Sequence, residues 1–149
     1  MPQAKKRHFH QRLFCVPATP LAPEGAGWTY ADGVLTVDLS QIRGLSEPDT
    51  ALRFESGGLP DRVLVVHGTD GDFHAYSNHC ACGGFRVDPV PAEPKIRCCT
   101  LMQSTYDYDG KVLGGTAKKD LIVFEASVDG DSLQVKVSPK VSPTSGSPR

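Results

Sequence analysis

The sequence predicts an all-β fold, a small antiparallel β-sandwich or barrel, and three observations carry that prediction. Short runs rich in β-branched and aromatic residues recur along the chain, cut roughly every eight to twelve residues by Gly, Pro or Asp. Several of those cuts are hairpin signals, with Asp-Gly or a short Gly-containing loop between two such runs. Helical periodicity is nearly absent.

Taken in order, Val34-Leu35-Thr36-Val37-Asp38-Leu39 follows the turn pair Asp32-Gly33 and reads as the first strand. Residues 39–45 have room for at most one helical turn. Residues 44–61, with Gly57-Gly58 and Pro60, read as an excursion loop. Arg62-Val63-Leu64-Val65-Val66-His67 and Phe73-His74-Ala75-Tyr76 flank Gly68-Thr69-Asp70-Gly71-Asp72 as a hairpin. Lys95-Ile96-Arg97-Cys98 is a short strand. Thr105-Tyr106-Asp107-Tyr108 pairs across Asp109-Gly110 with Lys111-Val112-Leu113. Residues 121–128 and 132–137 close a third hairpin over Asp129-Gly130-Asp131. Trp28 and Tyr30 are expected to pack on the sheet at its entry. The expected organisation is a flexible terminus at 1–11, one domain at 12–137 and a Ser/Pro-rich tail at 138–149 that is too poor in apolar residues to order itself.

Composition narrows the function. A chain of 149 residues is one domain's worth and buries a sizeable core. The formal net charge of −1 offers no broad attraction to nucleic acid or an anionic membrane. The basic run Lys5, Lys6, Arg7 reads as a solvated terminus. No apolar run approaches the ~20 residues of a spanning helix. No continuous apolar segment follows the basic start before Pro17 and Pro20, so a cytoplasmic chain is expected. No Ser–His–Asp set, phosphate-cradling loop or His-Glu-x-x-His motif is present, and no catalytic residue is identified.

The five cysteines are Cys15, Cys80, Cys82, Cys98 and Cys99. An odd number without a secretory signal argues against a disulfide framework. Cys15, between Leu13, Phe14 and Val16, reads as a small buried hydrophobe. The other four fall within twenty residues of one another. They lie in two short segments, Asn78-His79-Cys80-Ala81-Cys82-Gly83-Gly84 and Cys98-Cys99-Thr100-Leu101-Met102, separated by a spacer with Pro89, Pro91 and Pro94 that disfavours helix. Two such loops at neighbouring strand tips are suited to converge on one metal centre. His67 and His74 lie on the preceding hairpin and read as surface residues. Lys118, Lys119 and Asp120 read as a solvated loop near the site.

This pattern resembles the Rieske iron–sulfur family, whose members carry Cys-x-His, a spacer, and Cys-x-x-His followed by an aromatic–acidic pair. Cys80 falls on the first cysteine, Cys99 on the second, Tyr106-Asp107 on the aromatic–acidic pair and Gly110 on the turn after it. The resemblance covers about residues 60–137, with the metal-binding loops at about 78–107. It implies a [2Fe–2S] cluster, in which two cysteines hold one iron and two histidines the other. Here Cys82 stands in place of the first histidine and Met102 in place of the second. The resemblance therefore implies a sulfur-rich ligand set of Cys80, Cys82 and Cys99, with Met102, Cys98 or a histidine as the fourth donor. A Met thioether is a weak donor to ferric iron, whereas Cys98 is stronger but alternates to the opposite face from Cys99 if the strand continues.

A cluster held mostly by thiolates should have a potential nearer the roughly −400 mV of plant-type ferredoxins than the Rieske range. The expected role is a one-electron carrier or accessory subunit of an oxidoreductase, rather than a stand-alone enzyme. Its partner would be a reductase or an oxygenase/reductase component. Two other readings stay open. One is a Zn²⁺ or Cu(I) site on the same sulfurs. The other is a cluster-free structural or regulatory module whose thiols stay reduced or close a reversible Cys80–Cys99 disulfide. Gly83 and Gly84 suit a tight turn that also brings backbone amides near the site, and Ser104 and Tyr106 lie where hydroxyls can reach it.

Overall fold

The structure, a computed structural model, describes residues 17–81, 84–98, 104–115 and 117–139, the side chain of Pro139 excepted. These residues form β1 (Trp28–Ala31), β2 (Val34–Asp38), β3 (Thr50–Phe54), β4 (Val63–His67), β5 (Phe73–Ser77), β6 (Val87–Pro89), β7 (Lys95–Cys98), β8 (Thr105–Asp107), β9 (Val112–Gly114), β10 (Val123–Asp129) and β11 (Ser132–Pro139). The helical content among them is one 3-10 turn, Arg43–Leu45. The all-β prediction holds, and so do the hairpins. Ala31 pairs with Val34 across Asp32-Gly33, both of positive φ, and Asp129 pairs with Ser132 across Gly130-Asp131.

Two antiparallel sheets result, a large one in the order β1-β2-β11-β10-β5-β4-β3 and a small one in the order β6-β7-β8-β9. Strands β5 and β10 are neighbours in the large sheet, Tyr76 opposite Val123, although the whole small sheet lies between them in sequence. The small sheet is thus an insertion of residues 78–122 into the large one.

Residues 44–61 are not the uninterrupted loop expected from Gly57, Gly58 and Pro60. They contain β3, whose Thr50, Leu52 and Phe54 point inward while Ala51 and Arg53 are half-buried. The period-2 alternation of Thr-Ala-Leu-Arg-Phe is the signal, and the Gly/Pro punctuation after it masks it. Strands β1 and β6 are also additions to the sequence reading. Trp28 and Tyr30 belong to β1; Trp28 meets the Phe54 ring edge-on at 5.3 Å and donates its indole N–H to Pro23 O. Pro89 is tolerated in β6 because β6 is the edge strand of its sheet.

The two sheets enclose two cores, and β4 divides them. Val63 and Val65 face the first, with Leu35, Val37, Phe54, Leu133 and Val135; Leu64 and Val66 face the second, with Tyr76, Ile96, Cys98, Tyr106 and Cys80. A strand buried on both faces needs an unbroken apolar run, which Val63-Leu64-Val65-Val66 supplies. Each fully buried side chain of this size contributes on the order of 1.5–3 kcal/mol relative to exposure.

Register brings the cysteine-bearing connections to one place. Val87 pairs with Cys98, and Arg97 with Thr105. The connection 78–86 entering β6 and the connection 99–104 from β7 to β8 therefore leave the small sheet at the same end.

Candidate metal and redox site

Cys80 stands on the first of these connections. It is 2 % exposed, lies in the second core, and is disulfide-bonded. Its loop is a tight turn. Gly84, at φ +77, donates its N–H to Cys80 O at 2.7 Å, and Cys80 N–H returns to Phe85 O at 2.5 Å. The Gly84 amide is thereby used by the turn; Gly83 lies outside the described residues.

Tyr106, fully buried on β8, reaches across the small sheet to this turn. Its hydroxyl lies 3.3 Å from Cys80 Sγ and accepts the Ala81 N–H at 3.1 Å. A disulfide sulfur has no proton, so the hydroxyl donates to it. Burial raises the Tyr106 pKa above the ordinary phenol value, partly offset by the Ala81 amide, which keeps this donor protonated. The sequence allowed Tyr106 either a polar or a packing role, and it has both.

Cys98 carries a reduced thiol with no solvent exposure, on the same inward face of β7 as Ile96. That shared face agrees with the alternation expected from the sequence. It puts Cys98 in the second core with Cys80 and Tyr106. Ser104, also fully buried, accepts the Cys98 N–H at its carbonyl and the Ala117 N–H at its hydroxyl, which ties the end of β7 to the segment beyond β9. Cys82, Cys99 and Met102 lie outside the described residues.

The histidines go elsewhere. His67 stacks on Phe73 at 4.2 Å with Nδ1 2.8 Å from Leu45 O, and His74 stacks on Tyr108 at 4.4 Å with Nε2 2.9 Å from Asp70. Both are half-buried packing residues on the β4–β5 hairpin rather than freely exposed ones. His79 adjoins Cys80, but both its ring nitrogens are engaged. Arg62 Nη2 is 2.9 Å from Nδ1 and Asp61 Oδ1 is 2.5 Å from Nε2. A guanidinium only donates, so Nδ1 accepts and the ring proton sits on Nε2. Asp61 also accepts from Ser77 Oγ at 2.6 Å.

Sequence reasoning missed Arg62 and Asp61. Arg62 donates to Asn78 O from Nε at 3.2 Å and from Nη2 at 3.0 Å, and to Gly84 O from Nη2 at 2.6 Å. Its carbonyl accepts the Asn78 N–H. No spacing in the sequence signals this; it follows from the pairing of Val63 with Ser77. Desolvation lowers the Arg62 pKa, with nearby Arg86 acting in the same direction.

Among the described residues no three His, Cys, Asp or Glu side chains converge as a ligand set. Among the described residues no histidine is presented as a ligand, because His79 is held by Arg62 and Asp61 while His67 and His74 pack on the β4–β5 hairpin. A sulfur-ligated centre fits the donor chemistry at Cys80, a buried sulfur at a loop tip. Its disulfide must first be reduced, since a sulfur so bonded is no thiolate ligand.

No family model and no curated protein matches the chain. Solved structures do. The plasma membrane Rieske protein PetC3 from Synechocystis PCC 6803 is 28% identical at a TM-score of 0.50, covering 74% of this chain and 97% of its own. The ferredoxin of carbazole 1,9a-dioxygenase from Nocardioides aromaticivorans IC177 is 24% identical at 0.51, covering 63% and 88%. A chain from the complex of reduced oxygenase and oxidized ferredoxin in carbazole 1,9a-dioxygenase is 19% identical at 0.54, covering 64% and 88%.

Proposed function

Starting from a Rieske-type domain, we propose that this chain is an electron-transfer protein whose centre is held by sulfur instead of imidazole. It acts as a one-electron carrier or as an accessory subunit of an oxidoreductase. The observation that carries this reading is the buried Cys80 at the sheet end where both cysteine-bearing connections leave, in a fold shared with Rieske proteins and Rieske-type ferredoxins. Cys80, Cys82 and Cys99 would supply three thiolates, with Met102 or Cys98 as the fourth donor. When bound, a [2Fe–2S] cluster supplies reversible one-electron chemistry, at a potential nearer about −400 mV than the Rieske range.

The chain's own residues define the surroundings. The Tyr106 hydroxyl donates to Cys80 Sγ, and a hydrogen bond to a ligand sulfur favours the more negatively charged state. Leu64, Val66, Tyr76 and Ile96 exclude water from the inner side of the loop. The resemblance to a ferredoxin, and to a complex of ferredoxin with oxygenase, supports a redox partner of the oxygenase or reductase class.

The test is spectroscopic. Protein reduced and reconstituted anaerobically with iron and sulfide should turn brown, and Cys99→Ser should remove most of the visible absorption. A wild-type protein that stays colourless contradicts the proposal. The Cys80 disulfide favours a second reading, a cluster-free module working through thiol–disulfide chemistry and protein contacts. Zinc or copper by elemental analysis, without iron, would instead identify the sulfurs as a site for those metals.

A further inference from the structure

We infer that Arg62 is the positioning residue of the Cys80 loop and that it sets how readily the Cys80 sulfur is oxidised. The inference rests on the Cys80 disulfide and so on the second, thiol–disulfide reading above. Arg62 immediately precedes β4, outside the cysteine loops, yet its guanidinium spans the loop from entry to exit. It donates to Asn78 O and His79 Nδ1 before Cys80 and to Gly84 O after it. Because Nη2 has only two protons, these three acceptors share them, and Nε adds a second contact to Asn78 O. The Arg62 backbone reinforces the link, its carbonyl accepting Asn78 N–H at 2.9 Å and its own N–H reaching Asp61 Oδ1 at 2.8 Å. Asp61 in turn receives His79 Nε2–H and Ser77 Oγ–H.

Both ends of the turn are thus tied to one side chain next to β4, a strand buried on both faces. The fork of an arginine suits this task; a lysine presents one point of charge and cannot bridge carbonyls in fixed directions. Arg62 is also reachable, since with Asp61 and His79 it lines an open cleft of about 350 Å³. To close the disulfide, the Cys80 thiol and its partner thiol pass two electrons and two protons to a buffer disulfide, whose S–S bond breaks and which leaves as two thiols. The closed form is favoured by how often the two sulfurs meet, which a loop held by Arg62 raises. Releasing the loop should make the disulfide easier to reduce.

The measurement is the oxidation equilibrium of Cys80 in the metal-free full chain. Protein is equilibrated across thiol–disulfide buffers, quenched in denaturant, alkylated and read by mass spectrometry at Cys80. Arg62→Ala should lower the equilibrium constant for disulfide formation about tenfold, which for a two-electron couple is about 30 mV. Arg62→Lys should recover part of this, leaving about a threefold deficit. Folding of each variant is checked by circular dichroism, and if Arg62→Ala does not fold, the Arg62→Lys value decides. A constant unchanged by a folded variant overturns the inference alone. A wild-type Cys80 that is fully alkylated in every buffer overturns the thiol–disulfide reading and the inference with it, and leaves the cluster reading to its own iron assay.

Discussion

Tyr106 shows how much one hydroxyl holds at this site. Its ring fills the second core, while its oxygen joins the Cys80 sulfur and the Ala81 amide. Tyr106→Phe keeps the ring and removes both contacts. The expected cost is about 0.5–1.5 kcal/mol in urea unfolding, because the Ala81 amide is exposed enough to regain water. The same variant should also change the Cys80 redox equilibrium, and a folded Tyr106→Phe protein with unaltered equilibrium would show the hydroxyl to be only a structural contact. At this scale the sequence exposes chemistry that lies next to it in the chain. Cys80 and Tyr106-Asp107 stand out because their motif is local. Arg62 does not, because it is sixteen residues from Asn78 and meets it only through the pairing of β4 with β5. Cys82, Cys99 and Met102, the other donors proposed, lie outside the described residues.

At the scale of elements, turns with strict backbone demands were the most legible. Asp32-Gly33, Asp109-Gly110 and Gly130-Asp131 each close a hairpin. Gly110 is the most constrained of them. Its φ is +83, its carbonyl accepts the Leu121 N–H, and a Cβ there would come within 2.7 Å of Leu121 O. Gly110→Ala should therefore destabilise the protein by about 1–3 kcal/mol from backbone conformation alone, with the clash adding to it. A melting temperature equal to wild type would contradict this account of the β8–β9 turn. What escaped the sequence were elements whose local signal points two ways. Strand β3 is followed closely by Gly57, Gly58 and Pro60, and β6 contains Pro89. Whether such segments pair is decided by the neighbouring strand, Leu52 opposite Val65 and Pro89 opposite Ile96. The position of the site follows from these pairings, since β6 and β7 fix the end of the sheet at which both connections emerge.

For the whole molecule, the joint between large and small sheets is electrostatic as well as apolar. Glu55, just past β3, accepts two hydrogen bonds from Arg86 before β6 and one from Arg53. The Arg86 hydrogen bond is the main reason its carboxyl stays below the usual value, against the opposing effect of burial. A carboxyl depressed in the folded state stabilises the protein above its unfolded pKa and loses that contribution as pH falls through the folded value. Unfolding free energy should thus decline below about pH 4.5, and Glu55→Gln should flatten that decline while lowering stability at neutral pH. Equal acid slopes for the two proteins would argue against the joint. The division into two cores was only partly legible. Val63-Leu64-Val65-Val66 announces a strand buried on both faces, but nothing in the chain says that residues 78–122 are inserted between two neighbouring strands of one sheet.

The central claim is that a Rieske-type fold keeps an electron-carrying centre after exchanging imidazole for sulfur. It is tested most directly by quantifying iron and acid-labile sulfide per chain, after the Cys80 disulfide has been reduced and the protein rebuilt without oxygen. The account predicts about two of each, the composition of a [2Fe–2S] cluster. Neither iron nor sulfide, from folded protein with Cys80 reduced, would contradict it.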